Sequence, residues 1–364
     1  MKLSKENSNI ALVHDWMTNE AGGEKVLLEL AEMFPKATIF TSVYDPKRMP
    51  AFNGRDVRTS YLQKIPFMKS RRELLVPMTP FAFEQFNLEG FDLVISSSTF
   101  SGKGVLTRPG TKHISYCHTP PRYLWEPSLD ERASKGLFSG HRKKLSSRLR
   151  LWDRLAADRV DAFIANSSYI QRRIRKYYQR DAAVIYPPVD VERFKVAKES
   201  EVGEYFLFVS RLVTYKKCDL AIHAFNKLGL PLVVIGNGPE KSRLQAIAGP
   251  NIQMLGRLSN EDLIKYYSEA KAFVFAAEED FGIVPVEAMA SGRPVIAFNG
   301  GGAKESVISG LSGVLFDEQT EDSLVSVVRN FDASKYDSDK IRKHAEKFSR
   351  QNFRKQIFEY IEKL

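Results

Sequence analysis

Cysteine is almost missing from this chain of 364 residues. The two that occur, Cys117 and Cys218, lie in different halves beside apolar residues, which argues against a disulfide framework and against a thiolate metal cluster. Long apolar runs are missing too. No stretch of about 18 apolar residues occurs, so no membrane-spanning helix is expected. Met1 to Asn9 lacks the apolar segment and small-residue cleavage site of a secretory leader. The expectation is a reduced, cytoplasmic protein. Acidic residues are short in one place. Residues 1–198 hold 33 Lys and Arg against 21 Asp and Glu, while 199–364 hold 21 against 23. A basic first half beside a nearly neutral second half is expected to face something anionic, such as a membrane leaflet, a polyprenyl diphosphate or a nucleic acid. The charge is concentrated in Lys64, Lys69, Arg71 and Arg72, and in His141–Lys144 continuing through Arg148, Arg150, Arg154 and Arg159. A solvated helix face is the plain alternative for such runs. Stacking aromatics are not interleaved with them and no recognised binding motif occurs, so nucleic acid is disfavoured.

With 43% hydrophobic residues, the chain is long enough to bury two cores of common size. Short apolar strands and amphipathic helices alternate through both halves. Asn9–His14, Thr38–Val43, Phe91–Ser96, His113–Cys117 and Asp161–Asn166 read as strands, with helices over Glu24–Phe34 and Ser168–Tyr178. Polar Val196–Gly203 shows no apolar period and reads as the linker. The alternation restarts with strands Tyr205–Ser210, Pro231–Gly236, Ile252–Leu255, Ala272–Ala276 and Pro294–Ala297, and helices Asp219–Leu228 and Glu261–Ala270. The fold class is therefore α/β, with two doubly wound Rossmann-like domains and a central cleft at the carboxyl ends of the strands. The domains span 1–198 and 199–345, followed by an amphipathic C-terminal helix in 346–364.

The loops at those strand ends carry the chemistry. Glu279-Asp-Phe-Gly-Ile-Val-Pro-Val-Glu287 sets two carboxylates eight positions apart, across a turn that opens a helix. Acids at both ends of such a turn suit a ligand that joins phosphate to sugar hydroxyls. Pro285 suits a first helical position, leaving the N–H groups of Phe281, Gly282, Ile283 and Val284 to meet an anion. Arg211 and Lys216 share one loop and together match a diphosphate. Gly236-Asn-Gly-Pro-Glu240 and Asn299-Gly-Gly-Gly302 allow close backbone approach, though each is equally an ordinary turn. In the first half, Gly22-Gly23 precedes a helix as a phosphate-friendly nest, without the third glycine of a dinucleotide fingerprint. His118 ends a strand just before Pro120-Pro121, and a structural histidine is the alternative there. Ser167 reads as a helix cap.

Taken in order, these segments resemble a retaining glycosyltransferase of family 4 with the GT-B fold, over essentially the whole chain. The carriers are His14-Asp-Trp with Gly22-Gly23-Glu24-Lys-Val26, Tyr116-Cys-His-Thr-Pro-Pro-Arg-Tyr-Leu-Trp125, Ala165-Asn-Ser167, Tyr186-Pro-Pro-Val-Asp190, Arg211 to Lys216, Gly236 to Glu240, and the Glu279/Glu287 pair. The wording is closest to GDP-mannose-dependent mannosyltransferases of O-antigen and exopolysaccharide synthesis. The resemblance implies that Glu287 holds the ribose and Glu279 the donor sugar. It implies that Arg211 and Lys216 bind the diphosphate in place of a metal, so no cofactor is needed. Amides of Phe281, Gly282 and Ile283 would contact sugar and phosphate, with Gly236 beside the nucleotide. His118 would face the donor sugar, and Gly22 and Gly23 would close on the phosphates and acceptor. The C-terminal helix would cross back to the first domain. Ser210 and Lys217-Cys218 depart from the common wording. The expected partners are a nucleotide sugar and a glycan or polyprenyl-diphosphate-linked acceptor. Peripheral contact with the inner face of the membrane would follow from the basic first half. A UDP-GlcNAc- or UDP-glucose-dependent transferase and a nucleotide-sugar epimerase remain the alternatives.

Overall fold

The computed structural model describes residues 9–66, 72–126 and 139–364. The leader question at Met1 to Ser8, and Lys69 and Arg71 of the basic run, lie outside the described residues, as do the side chains of Arg72, His141 and Arg142. Short apolar runs form strands buried on both faces, and helical crossovers set them parallel. In the first unit these are β1 (Ile10–His14), β2 (Thr38–Thr41), β3 (Val57–Thr59), β4 (Leu93–Ser98), β5 (Lys112–Cys117), β6 (Ala162–Ala165) and β7 (Ala182–Val184). They form one parallel sheet in the order β3-β2-β1-β4-β5-β6-β7. The order reverses between β1 and β4, where His14 stands opposite Ser97.

The second unit repeats the plan with β8 (Phe206–Val209), β9 (Leu232–Ile235), β10 (Ile252–Leu255), β11 (Ala272–Phe275), β12 (Val295–Phe298) and β13 (Gly313–Phe316), in the order β10-β9-β8-β11-β12-β13. Here the reversal falls between β8 and β11. Phe206, Phe208, Ile222, Phe225, Val234, Val274 and Ile296 fill the core on one side of this sheet.

The units divide at Tyr186/Pro187, and the first also contains Arg354–Leu364. The sequence reading placed the division after residue 198. The stretch read as a linker belongs to the second unit, because Gly203 N–H donates to Glu269 O at 2.7 Å and Val196 lies against Gly292. Backbone pairing of that kind leaves no apolar period to read. The last helix, Arg350–Ile361, brings its later part into the first unit. There Arg354 pairs with Glu29 and Glu32, Phe358 meets Phe34 edge to face at 5.6 Å, and Tyr360 OH donates to Phe163 O.

Most of the basic run forms the helix Ser139–Asp158. It is anchored through Asp153, which pairs with Lys103 and accepts hydrogen bonds from Trp125 Nε1 and Tyr178 OH at 2.7 and 2.9 Å. Lys103 and Asp153 are both fully buried. Among the described residues, no helix is long and apolar enough to cross a membrane.

Candidate active site

In the second unit the two strands at the reversal deliver opposite charges. The loop after β8 carries Arg211, exposed, and Lys216, at the end of the 3₁₀ turn Thr214–Lys216. The loop after β11 carries Glu279, and the Lys216 ammonium is hydrogen-bonded to its carboxylate. This pair is only partly exposed, so its attraction is less screened than that of a surface pair. Gly282 follows with φ at +86°, and the helix Ile283–Ala290 starts immediately after it. The first N–H groups of a helix have no partner within it and point toward any anion placed there. Pro285 is the third helical residue rather than the first. Its missing N–H is still harmless, because the first turn makes no intrahelical bond.

Glycines hold the two charged loops in place. Gly301, with φ at +61°, and Gly302 lie against the Glu279 turn: Gly302 N–H donates to Glu279 O at 2.8 Å, and a Cβ on Gly301 would stand 2.1 Å from that oxygen. Gly236 backs the other loop, since a Cβ there would meet Ser210 O at 1.8 Å. Its place in the fold is thus behind Arg211. Phe281 is buried against Phe348 at 5.6 Å. Glu287, one turn into the helix, accepts a hydrogen bond at 3.1 Å from Tyr267 OH.

His118, Gly22 and Gly23 belong to the first unit and gather at its own reversal point. Gly22 and Gly23 are the first two residues of the helix Gly22–Met33 rather than a loop before it. Poor helix propensity puts the expected start at Glu24, but Lys25 N–H already bonds Ala21 O at 3.1 Å. Gly23 packs on His118, whose Nε2 would be 3.3 Å from a Cβ at that position. His118 Nε2 in turn lies 2.8 Å from Ser97 Oγ. His14 Nδ1 lies 2.6 Å from Ser97 O, and its Nε2 lies 3.8 Å from Glu24 Oε1. Burial alone would lower the His14 pKa, but the Glu24 carboxylate outweighs it and the net shift is upward. Burial pushes Glu24 up, yet His14 brings it below the ordinary carboxylate value. Asp15, next in sequence, accepts from the N–H groups of Thr99, Phe100 and Gly102 and from Ser98 Oγ, which pins the turn after β4.

Residues 21–193 match the family model Glycosyltransferase Family 4, and residues 190–350 match Glycosyl transferases group 1. Together the two models span residues 21–350, and the fold is that of a family 4-like GT-B glycosyltransferase. It is 25% identical to D-inositol 3-phosphate glycosyltransferase of Corynebacterium urealyticum, over 95% of this chain and 92% of that one. It is 28% identical to the GDP-mannose-dependent alpha-(1-6)-phosphatidylinositol monomannoside mannosyltransferase of Mycobacterium tuberculosis, over 48% of this chain and 53% of that one. Several curated relatives, that enzyme included, are matched over only about half to three fifths of their own length. Among solved structures, Anabaena Alr3699/HepE in complex with UDP-glucose matches with a TM-score of 0.69, covering 98% of this chain and 100% of that one at 18% identity, which speaks to the fold.

Sequence reasoning found the charged loops but missed that Tyr267 meets Glu287 and that His14 meets Glu24. Tyr267 stands on the helix Asn260–Glu269, where its spacing marks only a buried face. Ser167 caps the helix Ser168–Tyr178, accepting from Ile170 N–H at 3.1 Å. Among the described residues, no group of three or more His, Cys, Asp or Glu side chains is arranged to hold a metal ion.

Proposed function

We propose that this glycosyltransferase moves mannose from GDP-mannose, with retention, to a hydroxyl of a lipid-linked glycan. The observation that carries the reading is the Lys216–Glu279 pair beside the Gly282 helix start. A cation, an anion and a helix N-terminus at one point suit a ligand that is phosphate at one end and polyol at the other. Lys216 and Arg211 would bind the diphosphate and stabilise it as it leaves, supplying the positive charge without a metal. Glu279 would hold the sugar hydroxyls, with the Phe281, Gly282 and Ile283 amides beside it, and Glu287 the ribose. His118, Gly22 and Gly23 would act on the donor sugar, phosphates and acceptor from the first unit. With no side chain assigned as a nucleophile, the acceptor hydroxyl attacks on the face the diphosphate leaves, and a departing phosphate oxygen takes its proton. The barrier falls through leaving-group electrostatics and through holding both substrates together. Mannose as the sugar is supported by the 28% identity to the mycobacterial mannosyltransferase. The basic helix Ser139–Asp158 supports an acceptor presented on an anionic membrane surface.

The test is binding and slow hydrolysis of GDP-, UDP- and ADP-sugars without added metal, by the protein and its Lys216→Ala and Glu287→Ala variants. GDP-mannose is expected to be preferred. Lys216→Ala is expected to lower turnover by about 10²- to 10³-fold, the usual loss for one transition-state charge partner. Near-normal turnover in that variant would remove the leaving-group role. Preference for a UDP-sugar would replace the donor, and no binding at all would remove the transfer reading.

A further inference from the structure

The first unit holds two buried titratable side chains that the transfer reading does not use. His14 ends β1 and Glu24 stands in the first turn of the next helix, and both are under a tenth exposed. Ser97 O can only accept, so His14 Nδ1, 2.6 Å away, must carry a hydrogen. A neutral His14 then has its lone pair on Nε2, the atom 3.8 Å from Glu24 Oε1. A lone pair facing a carboxylate at that distance, with both side chains buried, is two acceptors in opposition. One proton therefore belongs to the pair, on Nε2 or on the carboxyl. The helix N-terminus favours an ionised Glu24 and so an imidazolium at His14.

The other charged or titratable groups facing the pair are Asp15, whose carboxylate is taken up by the turn at Ser98–Gly102, and His118. The His14 and His118 rings meet edge to face at 6.3 Å, and one residue holds both: the Ser97 carbonyl binds His14 and the Ser97 hydroxyl contacts His118. Glu24 also follows Gly23 directly, and Gly23 rests on His118. A shift of Glu24 is thereby transmitted to His118 along two routes.

We propose that His14 and Glu24 share one buried proton and together act as positioning residues that set His118 and the Gly22–Gly23 turn for sugar transfer. The role in transfer rests on the function proposed above, whereas the shared proton does not. The pair is intact between the lowered pKa of Glu24 and the raised pKa of His14. Its contribution is lost as pH rises through the latter, when the imidazolium gives up its proton, and as pH falls through the former.

Nitrogen-15 NMR of the histidine rings in the full chain, without substrate, tests the proton directly, with the His14 signals assigned by their loss in His14→Asn. A titration midpoint above 6.5 is expected, falling below it in Glu24→Gln, whose carboxamide N–H can donate to a neutral Nε2. A midpoint at or below 6.5 in the wild type, or one unmoved in Glu24→Gln, would overturn the shared proton. Nucleotide-sugar turnover against pH tests the positioning. The wild type is expected to lose kcat on the alkaline side with the NMR midpoint. Glu24→Gln should lack that limb while staying within about threefold at neutral pH, and Glu24→Ala should fall about tenfold or more throughout. Superimposable profiles for wild type and Glu24→Gln would overturn the positioning role. Absence of wild-type turnover on any sugar would overturn the transfer reading and that role with it, and the ring titration would still decide the proton.

Discussion

Tyr267 is wholly buried, with its ring against Phe194 and Phe273, and spends its one hydroxyl hydrogen on Glu287 Oε2. Burial and the neighbouring carboxylate push its pKa well above the ordinary phenol value, so it remains a donor at every working pH. A carboxylate held in this way meets a ligand already oriented. Tyr267→Phe removes the hydroxyl and little else. It is expected to raise KM for the nucleotide sugar about five- to tenfold, roughly 1 kcal/mol, with kcat nearly unchanged. An unchanged KM would show that Glu287 is oriented by other contacts. At this scale the sequence was legible for residues and mute about pairs. Arg211, Lys216 and Glu279 could be picked out because each stands in the loop past an apolar strand run, and Glu287 because it follows Glu279 by eight positions across a turn that opens a helix. That Lys216 meets Glu279, 63 positions away, or that Tyr267 rather than Tyr266 meets Glu287, depends on strand order and helix rotation. No local pattern encodes either.

At the scale of elements, each charged loop owes its position to glycines on a neighbouring loop. Gly302 is confined by two neighbours at once, because a Cβ there would lie 2.4 Å from Phe281 Cα and 2.5 Å from Asp280 O. Both are backbone atoms and cannot swing aside. Gly302→Ala is expected to displace the Glu279–Ile283 turn, lowering turnover about 100-fold, because misplacement of about 1 Å is enough for that. Thermal unfolding should report a smaller loss, about 1–3 kcal/mol. A variant with normal turnover would show that the turn tolerates the shift. The sequence marked Asn299–Gly302 only as a loop, since the surface it abuts belongs to another strand's turn. Strand runs of four or more buried residues were legible, whereas β3 and β7 were not. Each has only three residues, none fully buried: β3 is Val-Arg-Thr, with a single apolar residue, and β7 is Ala-Ala-Val, a run too short and small to mark a strand. β13 begins with Gly313, whose close approach to Val295 O leaves no room for a side chain.

For the whole molecule, the two parallel sheets follow from the βα alternation that the sequence displays, and both candidate clusters lie where the strand order of a sheet reverses. The uneven charge has a structural counterpart. On the helix Ser139–Asp158, Lys144, Arg148, Leu151 and Leu155 share a face by their spacing, and Leu151 and Leu155 are 63% and 52% exposed. Exposed leucines among cations fit an anionic lipid surface better than plain water. The protein is expected to co-sediment with anionic vesicles at low salt, to release as salt rises, and to bind less when Leu151 and Leu155 are both changed to Ser. Equal retention on neutral vesicles, or none on anionic ones, would count against membrane docking.

The return of the last helix to the first unit sets an order of assembly during synthesis. The second unit is one continuous stretch, Pro187–Phe353, and every residue it needs has been made before Phe358 is added. Phe34 waits through more than three hundred further residues for the ring that covers it, and Glu29 waits just as long for Arg354. The unit translated first is therefore the one completed last, and its exposed Phe34 edge is the surface a chaperone would meet on the growing chain.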